Sequence, residues 1–380
     1  MPGPIETSGN AAAARAGGLL TIDLSAVQSN YRRLCAEIGP GVECAAAVKA
    51  DAYGLGVAKL GPALAAAGAR RFFVAQFDEA LVLKAALAPA GRESEIFVLN
   101  GLIAASAAEF IAHGIHPVLN SLGEVESWGT TAREREQLLA AALHIDTGIC
   151  RLGLPDSEFR TLAGRTDALQ GIDLRMVLSH LACADTPEHP LNRRQLAAFG
   201  EIRAAFPGVP ASFANSSGIF LGPDYHFDIA RPGVALYGIN PTPEKPNPMK
   251  QVVRLQGKIL QIREIDAHQT VGYGAAHQTG GPARIATVAV GYADGYLRSL
   301  SARGHAWIDD RRVDVVGRVS MDLITLDVTA VPEASAQPGM LVDLLDPETG
   351  ADSLAVEAGT IGYEILTALG HRYHRHYTGA

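Results

Sequence analysis

The sequence predicts an α/β protein: a (β/α)8 barrel of the TIM type followed by a mainly β C-terminal domain. Three observations predict it. Short apolar runs alternate with longer amphipathic stretches between Gly41 and Gly233. A proline-rich segment then interrupts the chain, and the residues beyond it turn rich in Val and Ile. Strands alternating with helices favour a parallel sheet. Eight such units over about 200 residues fit a closed barrel. Periodicity alone does not distinguish closure from an open, doubly wound sheet.

Taken in order, residues 1–18 are rich in Ala and Gly and lack a basic region followed by an apolar core. They are expected to form a disordered tail rather than a signal peptide. Leu19 to Leu24 is a strand candidate that could pair with the C-terminal domain. The barrel strands are expected at Cys44–Val48, Phe72–Ala75, Ile96–Leu99, Ile115–Leu119, Leu143–Ile145, Leu174–Leu178, Ser212–Ala214 and Asp228–Ala230. Amphipathic stretches such as Glu79–Ala88 and Leu191–Phe206 are expected helices between them. Four prolines fall within Asn240–Pro248, which can sustain neither a helix nor a central strand. The domain boundary is placed there, giving a barrel over 19–245 and a β-rich domain over 246–380. In the latter, strands are expected at Val252–Ile265, Arg284–Val290, Val313–Val316, Leu323–Val328 and Met340–Leu345.

Composition narrows the function. The 380 residues are 48% hydrophobic, enough for substantial cores. The net charge of −8 offers no basic footprint for nucleic acid. No apolar run approaches the ~20 residues that span a bilayer. Cys35, Cys44, Cys150 and Cys183 form no Cys-x-x-Cys pair, so they read as free thiols in a reducing cytoplasm. No metal is expected: there is no His-Glu-x-x-His pair, and the histidines of Gly370–Tyr377 are interleaved with Arg372 and Arg375.

The most informative stretch is Val48-Lys49-Ala50-Asp51-Ala52-Tyr53-Gly54-Leu55-Gly56. A lysine at the end of a buried strand is desolvated, which lowers its pKa. A partly neutral amine can attack an aldehyde and form a Schiff base. Barrel chemistry gathers on the loops after the strands, and further polar residues stand there. They are His144 to Gly153 after the fifth strand, Ser179-His180 after the sixth, Asn215-Ser216-Ser217-Gly218 after the seventh and Arg231-Pro232-Gly233 after the eighth.

Together these motifs resemble the alanine racemase family. The resemblance runs from about Leu19 to Tyr377. It includes Asp146-Thr147-Gly148, Arg151-Leu152-Gly153, Tyr237-Gly238, Gly272-Tyr273-Gly274, Gly291-Tyr292-Ala293-Asp294-Gly295 and Gly317-Arg318-Val319-Ser320-Met321-Asp322. It implies a cofactor, pyridoxal 5′-phosphate (PLP), carried by Lys49, and an isomerase that interconverts L- and D-alanine with two bases. Lys49 would serve one face of the substrate α-carbon and Tyr273 the other, with the Arg151 cation favouring the phenolate. Arg231 would face the pyridine nitrogen, oriented by His180. Ser216, the amides of Gly233 and Val234, and the hydroxyls of Tyr53 and Tyr363 would lie at the phosphate, and Asn215 would be a further cofactor-binding residue. Arg151, Tyr292, Met321 and Asp322 would contact substrate. The resemblance further implies a head-to-tail homodimer in which Tyr273, Tyr292 and Met321 act on the partner's site.

Two positions depart from the family. His144 stands where many members carry a carbamylated lysine that orients the arginine matching Arg151. Imidazole forms no stable carbamate, so either a direct His144 contact or a bound anion is expected in that role. Ser320 stands where a cysteine is common, with little expected effect on mechanism. Three other functions compete with this one. A racemase of broader specificity, for serine or a larger side chain, stays open. A PLP-dependent decarboxylase of the same architecture is disfavoured because the region from Val252 onward has no cysteine. A non-catalytic PLP-binding protein would lack residues 250–380. The product would feed peptidoglycan synthesis or amino-acid catabolism.

Overall fold

The protein is described by a computed structural model covering residues 6–379, apart from 92, 104–105, 166 and 347. Two compact units are present. One comprises Val27–Leu236 and Asn240–Lys250; the other comprises Met1–Ala26, Tyr237–Ile239 and Gln251–Ala380. The division therefore falls five residues beyond the position expected from the prolines, and the proline-rich segment stays with the first unit.

The first strand, β1 (Gly18–Asp23), belongs to the second unit. The first unit is a barrel built from β2 (Glu43–Cys44), β3 (Ala46–Ala47), β4 (Arg71–Val74), β5 (Glu95–Val98), β6 (His116–Leu119), β7 (Leu139–His144), β8 (Ile172–Leu178), β9 (Ala211–Ser212) and β10 (Ile229–Ala230). β2 and β3 are two pieces of one extended run, interrupted at Ala45. The first piece pairs with β10 and the second with β4, both parallel. Ala45 N donates to Ala230 O at 2.9 Å, and Val48 N to Phe73 O at 2.8 Å. The sheet is thus closed, which rules out the open alternative.

Closure follows from the residues. β4, β5 and β6 each begin with a polar, part-exposed residue and continue with three buried ones. Ala45, Ala47, Phe73, Phe97, Val118, Ala142, Met176, Leu178 and Ile229 form one interior cluster. Small alanines on the first and fifth barrel strands leave room for the stacked rings of Phe73 and Phe97, whose centroids are 5.2 Å apart. The polar strand starts meet at the N-terminal mouth. There Arg71 pairs with Glu43 and Glu95, and Arg175 pairs with Glu95. The charges at that mouth are paired with one another, and barrel chemistry gathers at the opposite rim.

The second unit adds β11 (Val253–Ile265), β12 (Thr270–Val271), β13 (His277–Gln278), β14 (Ala283–Val288), β15 (His305–Ile308), β16 (Arg311–Asp314), β17 (Ile324–Asp327), β18 (Leu341–Asp343) and β19 (His374–Thr378). The strand order is β16-β15-β18-β11-β1-β19, with β14 joining β11 to β17. The Leu19–Leu24 candidate is β1, antiparallel to β11 and parallel to β19. Its alternating burial is that of a strand covered on one face.

Three features differ from the expectations. The tail is not disordered throughout: Glu6–Arg15 is helical, as its alanines favour, while residues 1–5 lie outside the described residues. Its end is tied to β11, where Lys258 donates from Nζ to Ala14 O and from N to Gly17 O. Helices Ala351–Ala358 and Gly362–Ala368 stand in a region expected to hold few. The histidine-rich C-terminus is an edge strand; its polar residues mask the strand signal, and β1 supplies its ladder.

The interior packing gives a direct test. Phe97 is fully buried, so Phe97→Ala should cost about 3–5 kcal/mol. A lowered urea midpoint is the expected result; an unchanged one would contradict the interior assignment.

Candidate active site

Lys49 follows directly on the first barrel strand and opens an unusual turn. Ala50, Asp51, Ala52 and Tyr53 all have φ between 53° and 56°. Left-handed backbone costs roughly 1–2 kcal/mol per non-glycine residue. Four in succession persist only where other bonds over-determine them, and such strain gathers at functional sites. The holding bonds are present. Ala52 N donates to Val48 O at 2.9 Å, Gly54 N to Ala50 O at 2.7 Å and Gly56 N to Asp51 O at 2.8 Å. Asp51 accepts from Val57 N at 2.7 Å. Glu79 clamps the turn to the end of β4: it accepts from Ala50 N at 2.6 Å, Ala75 N at 2.7 Å and Gln76 N at 3.0 Å. Burial pushes the Lys49 amine below its ordinary pKa, the Arg151 charge pushes it further, and Glu79 opposes them. The amine is therefore easier to deprotonate than a surface lysine.

Arg231, just after β10, is buried. Its guanidinium donates to Ser212 Oγ at 2.5 Å and to Ser179 O at 2.6 Å, and it lies 5.8 Å from the centre of the Phe73 ring. Burial lowers its pKa to about 10, so it remains a cation at neutral pH. The orienting contact expected from His180 is not made. Ser179 and Ser212, at the ends of neighbouring strands, do that work. Among the described residues the Arg231 guanidinium donates to Ser212 and Ser179 and not to His180, whose pKa lies well below the ordinary value through burial and then the charges of Arg231, Arg151 and Lys49.

Beside it is a cradle of hydroxyl and amide groups. Ser216 is buried, and its Oγ accepts from Gly233 N at 2.9 Å and Ala235 N at 3.2 Å. Val234 starts the short 3-10 turn Val234–Tyr237. A methyl group placed on Gly233 would come within 2.3 Å of Tyr53 Oη and 3.4 Å of Ala47 Cβ. Only glycine fits there, and it brings the Tyr53 hydroxyl against the start of the turn. Hydroxyls and backbone amides gathered in this way suit a phosphate without a metal. Asn215 spends its Oδ1 on Gly218 N at 2.8 Å, shaping the same loop.

The loop after β7 carries Arg151. Asp146 accepts from the amides of Gly148, Ile149 and Cys150, each at 2.9 Å. The loop returns on itself, Leu154 N donating to His144 O at 2.8 Å. Arg151 is exposed at its tip. His144 is buried, and its Nδ1 lies 2.8 Å from Asn120 Oδ1. Burial, then the Arg231 charge, lowers its pKa to about 4, so it is neutral at physiological pH. Gln195, fully buried, bridges this loop to the next. Its Nε2 donates to Thr147 Oγ1 at 3.1 Å and His180 O at 2.9 Å, and its Oε1 accepts from Ala182 N at 2.9 Å.

The remaining expected residues belong to the β-rich unit. Tyr273 stands in the loop of the β12–β13 hairpin and is 72% exposed, an unusual state for so large a ring. Tyr292 and Met321 are held side by side through backbone. Tyr292 N donates to Ser320 O at 3.0 Å and Ala293 N to Met321 O at 2.9 Å. Gly291 permits this, since a Cβ there would lie 2.4 Å from both carbonyl oxygens. Arg372 bridges Asp322 at 2.7 Å and Asp294 at 2.9 Å. Ser320 closes its own turn by bonds to Leu323. Tyr363 is the second residue of the helix Gly362–Ala368 and is partly exposed.

Glu79, Asn120, Ser212 and Gln195 were not singled out from the sequence. Glu79 had a local signal, an acid three residues into a helix. The other three act across strands and have none.

A barrel rim that combines a lysine of lowered pKa with a cluster of buried hydroxyls and amides suits an enzyme that carries a phosphorylated aldehyde as cofactor. Comparison identifies the family. Residues 22–241 match the alanine racemase N-terminal domain and residues 252–377 the alanine racemase C-terminal domain. The chain is 50% identical over 366 residues to the catabolic alanine racemase of Mesorhizobium japonicum, covering 96% of this chain and 94% of that protein. It is 50% identical to the alanine racemase of Rhodospirillum rubrum over 96% of this chain and 97% of that one. The crystal structure of alanine racemase from Bartonella henselae with covalently bound pyridoxal phosphate superposes with a TM-score of 0.91. It is 41% identical, and the match covers 96% of this chain and 100% of that one. The chain belongs to the alanine racemase family.

Two outcomes follow from this geometry. Glu79→Ala leaves three amides without their acceptor and should destabilise the protein by about 1–3 kcal/mol, with faster proteolysis at residues 50–56. An unchanged melting temperature would show that the turn does not need the clamp. His144 has an ordinary pKa of 6.5 and a folded value of about 4. The unfolded chain thus binds the proton more readily between those values. Stability is full above about pH 6.5 and falls as pH drops towards 4, on the order of 3 kcal/mol from this group. Melts of His144→Asn should show a shallower loss between pH 7 and 5; an identical slope would contradict the burial of a neutral imidazole.

Proposed function

We propose that this chain interconverts L- and D-alanine with PLP as cofactor. The observation that carries the reading is the Lys49 turn. A strained, clamped segment presents an amine of lowered pKa beside the Ser216–Gly233–Tyr53 cradle. The residues fit the cofactor: Lys49 would hold its aldehyde carbon, and Ser216, Gly233, Val234 and Tyr53 its phosphate, with Tyr363 as a further contact. PLP, when bound, supplies an electron sink that makes the α-hydrogen of an amino acid acidic.

The chain's own groups do the rest. The Lys49 amine takes or returns the α-proton on one face. Tyr273, supplied by a second copy of the chain, takes or returns it on the other. Two bases on opposite faces invert a centre that one base would only exchange. Arg151 favours the phenolate form of that tyrosine by its charge. Arg231 would offer a hydrogen bond to the ring nitrogen while keeping its proton, because its pKa of about 10 stays above neutrality. Tyr292 and Met321 limit the side chain to a small group, and Asp322 fixes their loop through Arg372. The exposure of Tyr273, Tyr292 and Met321 supports a head-to-tail homodimer that covers them. Among the described residues no helix is long and apolar enough to cross a membrane. A cytoplasmic location suits the four free cysteines.

The test is a chiral assay of purified, PLP-loaded protein in deuterated water with L-alanine, L-serine and L-lysine supplied separately. D-alanine carrying deuterium at the α-carbon, formed well ahead of the other products, is the expected result. Carbon dioxide released from lysine with no D-product would overturn the reading. Lys49→Ala should lose the absorbance of lysine-bound PLP and nearly all activity. Tyr273→Phe should keep that absorbance and lose racemisation, chiefly by blocking exchange from one enantiomer. Full activity of Tyr273→Phe in both directions would remove the second base.

A further inference from the structure

We propose that Asn120 and His144 form a positioning pair that offers an imidazole lone pair to the Arg151 guanidinium; this rests on the racemase reading and deepens it. The pair arises from strand register. Leu119 of β6 lies opposite Leu143 of β7, so the residues that follow, Asn120 and His144, are neighbours at the rim.

The tautomer of His144 can be assigned from its surroundings. Asn120 Nδ2 donates to Leu99 O at 3.0 Å and to Val118 O at 2.7 Å. Carbonyl oxygens only accept, so these bonds fix which end of the amide is nitrogen. Asn120 Oδ1 therefore faces His144 Nδ1, at 2.8 Å. That oxygen also only accepts, so Nδ1 carries the hydrogen. In a neutral imidazole the other nitrogen then bears a lone pair. His144 Nε2 is buried and has no hydrogen-bond partner among the described residues. Neutrality is supported by the lowered pKa of the ring.

A buried acceptor without a donor requires an explanation. Arg231 is close enough to act on the ring electrostatically, but the hydrogen bonds it makes go to Ser212 and Ser179 and not to the imidazole. The Asp146–Leu154 loop packs directly on the imidazole, since a Cβ on Gly153 would lie 3.0 Å from His144 Cγ and Cδ2. Two residues earlier in the same loop stands Arg151, with five N–H donors and an exposed side chain. Arg151 is the donor this loop can deliver to Nε2. The partner is uncharged, so the bond aims the guanidinium without neutralising it. The full positive charge stays available to the substrate and to the phenol expected opposite Lys49.

The test is nitrogen-15 NMR of the imidazoles in PLP-loaded, full-length protein, with His144 assigned by its loss in His144→Asn. The expected spectrum shows His144 protonated on Nδ1 only, with an Nε2 resonance that moves when Arg151 is changed to Lys. A proton on Nε2, or an Nε2 resonance indifferent to Arg151→Lys, overturns the proposal. The wild-type spectrum needs no variant to fold beyond the assignment control. As a kinetic companion, Asn120→Ala should lower kcat by about 10- to 100-fold with a smaller change in KM. An unchanged kcat also overturns the pair. Failure of wild-type protein to racemise alanine would remove the racemase reading, whereas the tautomer is read without turnover.

Discussion

An arginine buried without an acid sets the terms for this site. Arg231 makes no ion pair among the described residues; its charge is met by one serine hydroxyl, one carbonyl and the face of Phe73. Such a charge is costly to bury, and its influence on neighbouring groups is large. It is the leading charge, after burial itself, that keeps both His144 and His180 from protonating. The two imidazoles are thereby reserved as neutral groups. Were Arg231 paired with a carboxylate, both histidines would titrate closer to their ordinary range and the chemistry of the rim would change with pH.

The same economy of acids extends around the rim. Lys49, Arg151 and Arg231 are three cations on one face of the barrel, and Glu79 is spent on backbone amides while remaining the one acid that raises the Lys49 pKa. Asp146 is likewise committed to three amides. At the opposite mouth, acids and arginines are matched in pairs. On the proposed reading, a cofactor phosphate and a substrate carboxylate would complete the charge balance on that rim, to which anionic ligands would be attracted.

Much of this was legible in the sequence because it depends on local pattern. The eight apolar runs located all eight barrel strands, and the Leu19–Leu24 run located β1. The positions of Lys49, Ser216, Arg231 and Gly233 followed from motifs at strand ends. What could not be read depends on strand register. Ser212 reaches Arg231, and Asn120 reaches His144, only because neighbouring strands set them side by side. The left-handed course of Ala50 to Tyr53 was equally hidden, since alanine carries no signal for that backbone region. His180 was assigned to Arg231 by analogy, whereas the bonds that hold the guanidinium come from Ser179 and Ser212.

The placement of β1 has a consequence for synthesis of the chain. Its residues leave the ribosome before those of the barrel strands, but Leu19 pairs with His374 on one side and Gln256 on the other. The barrel needs neither partner strand, because its sheet closes within residues 43–230. During translation the barrel sequence therefore emerges complete while β1 still lacks both neighbours. Contacts so distant along the chain form slowly, so the β-rich unit is the later to close. Until then an unpaired, half-apolar strand hangs from the N-terminal end of a finished barrel, and this interval is when the nascent protein is most open to capture by a chaperone or by another chain.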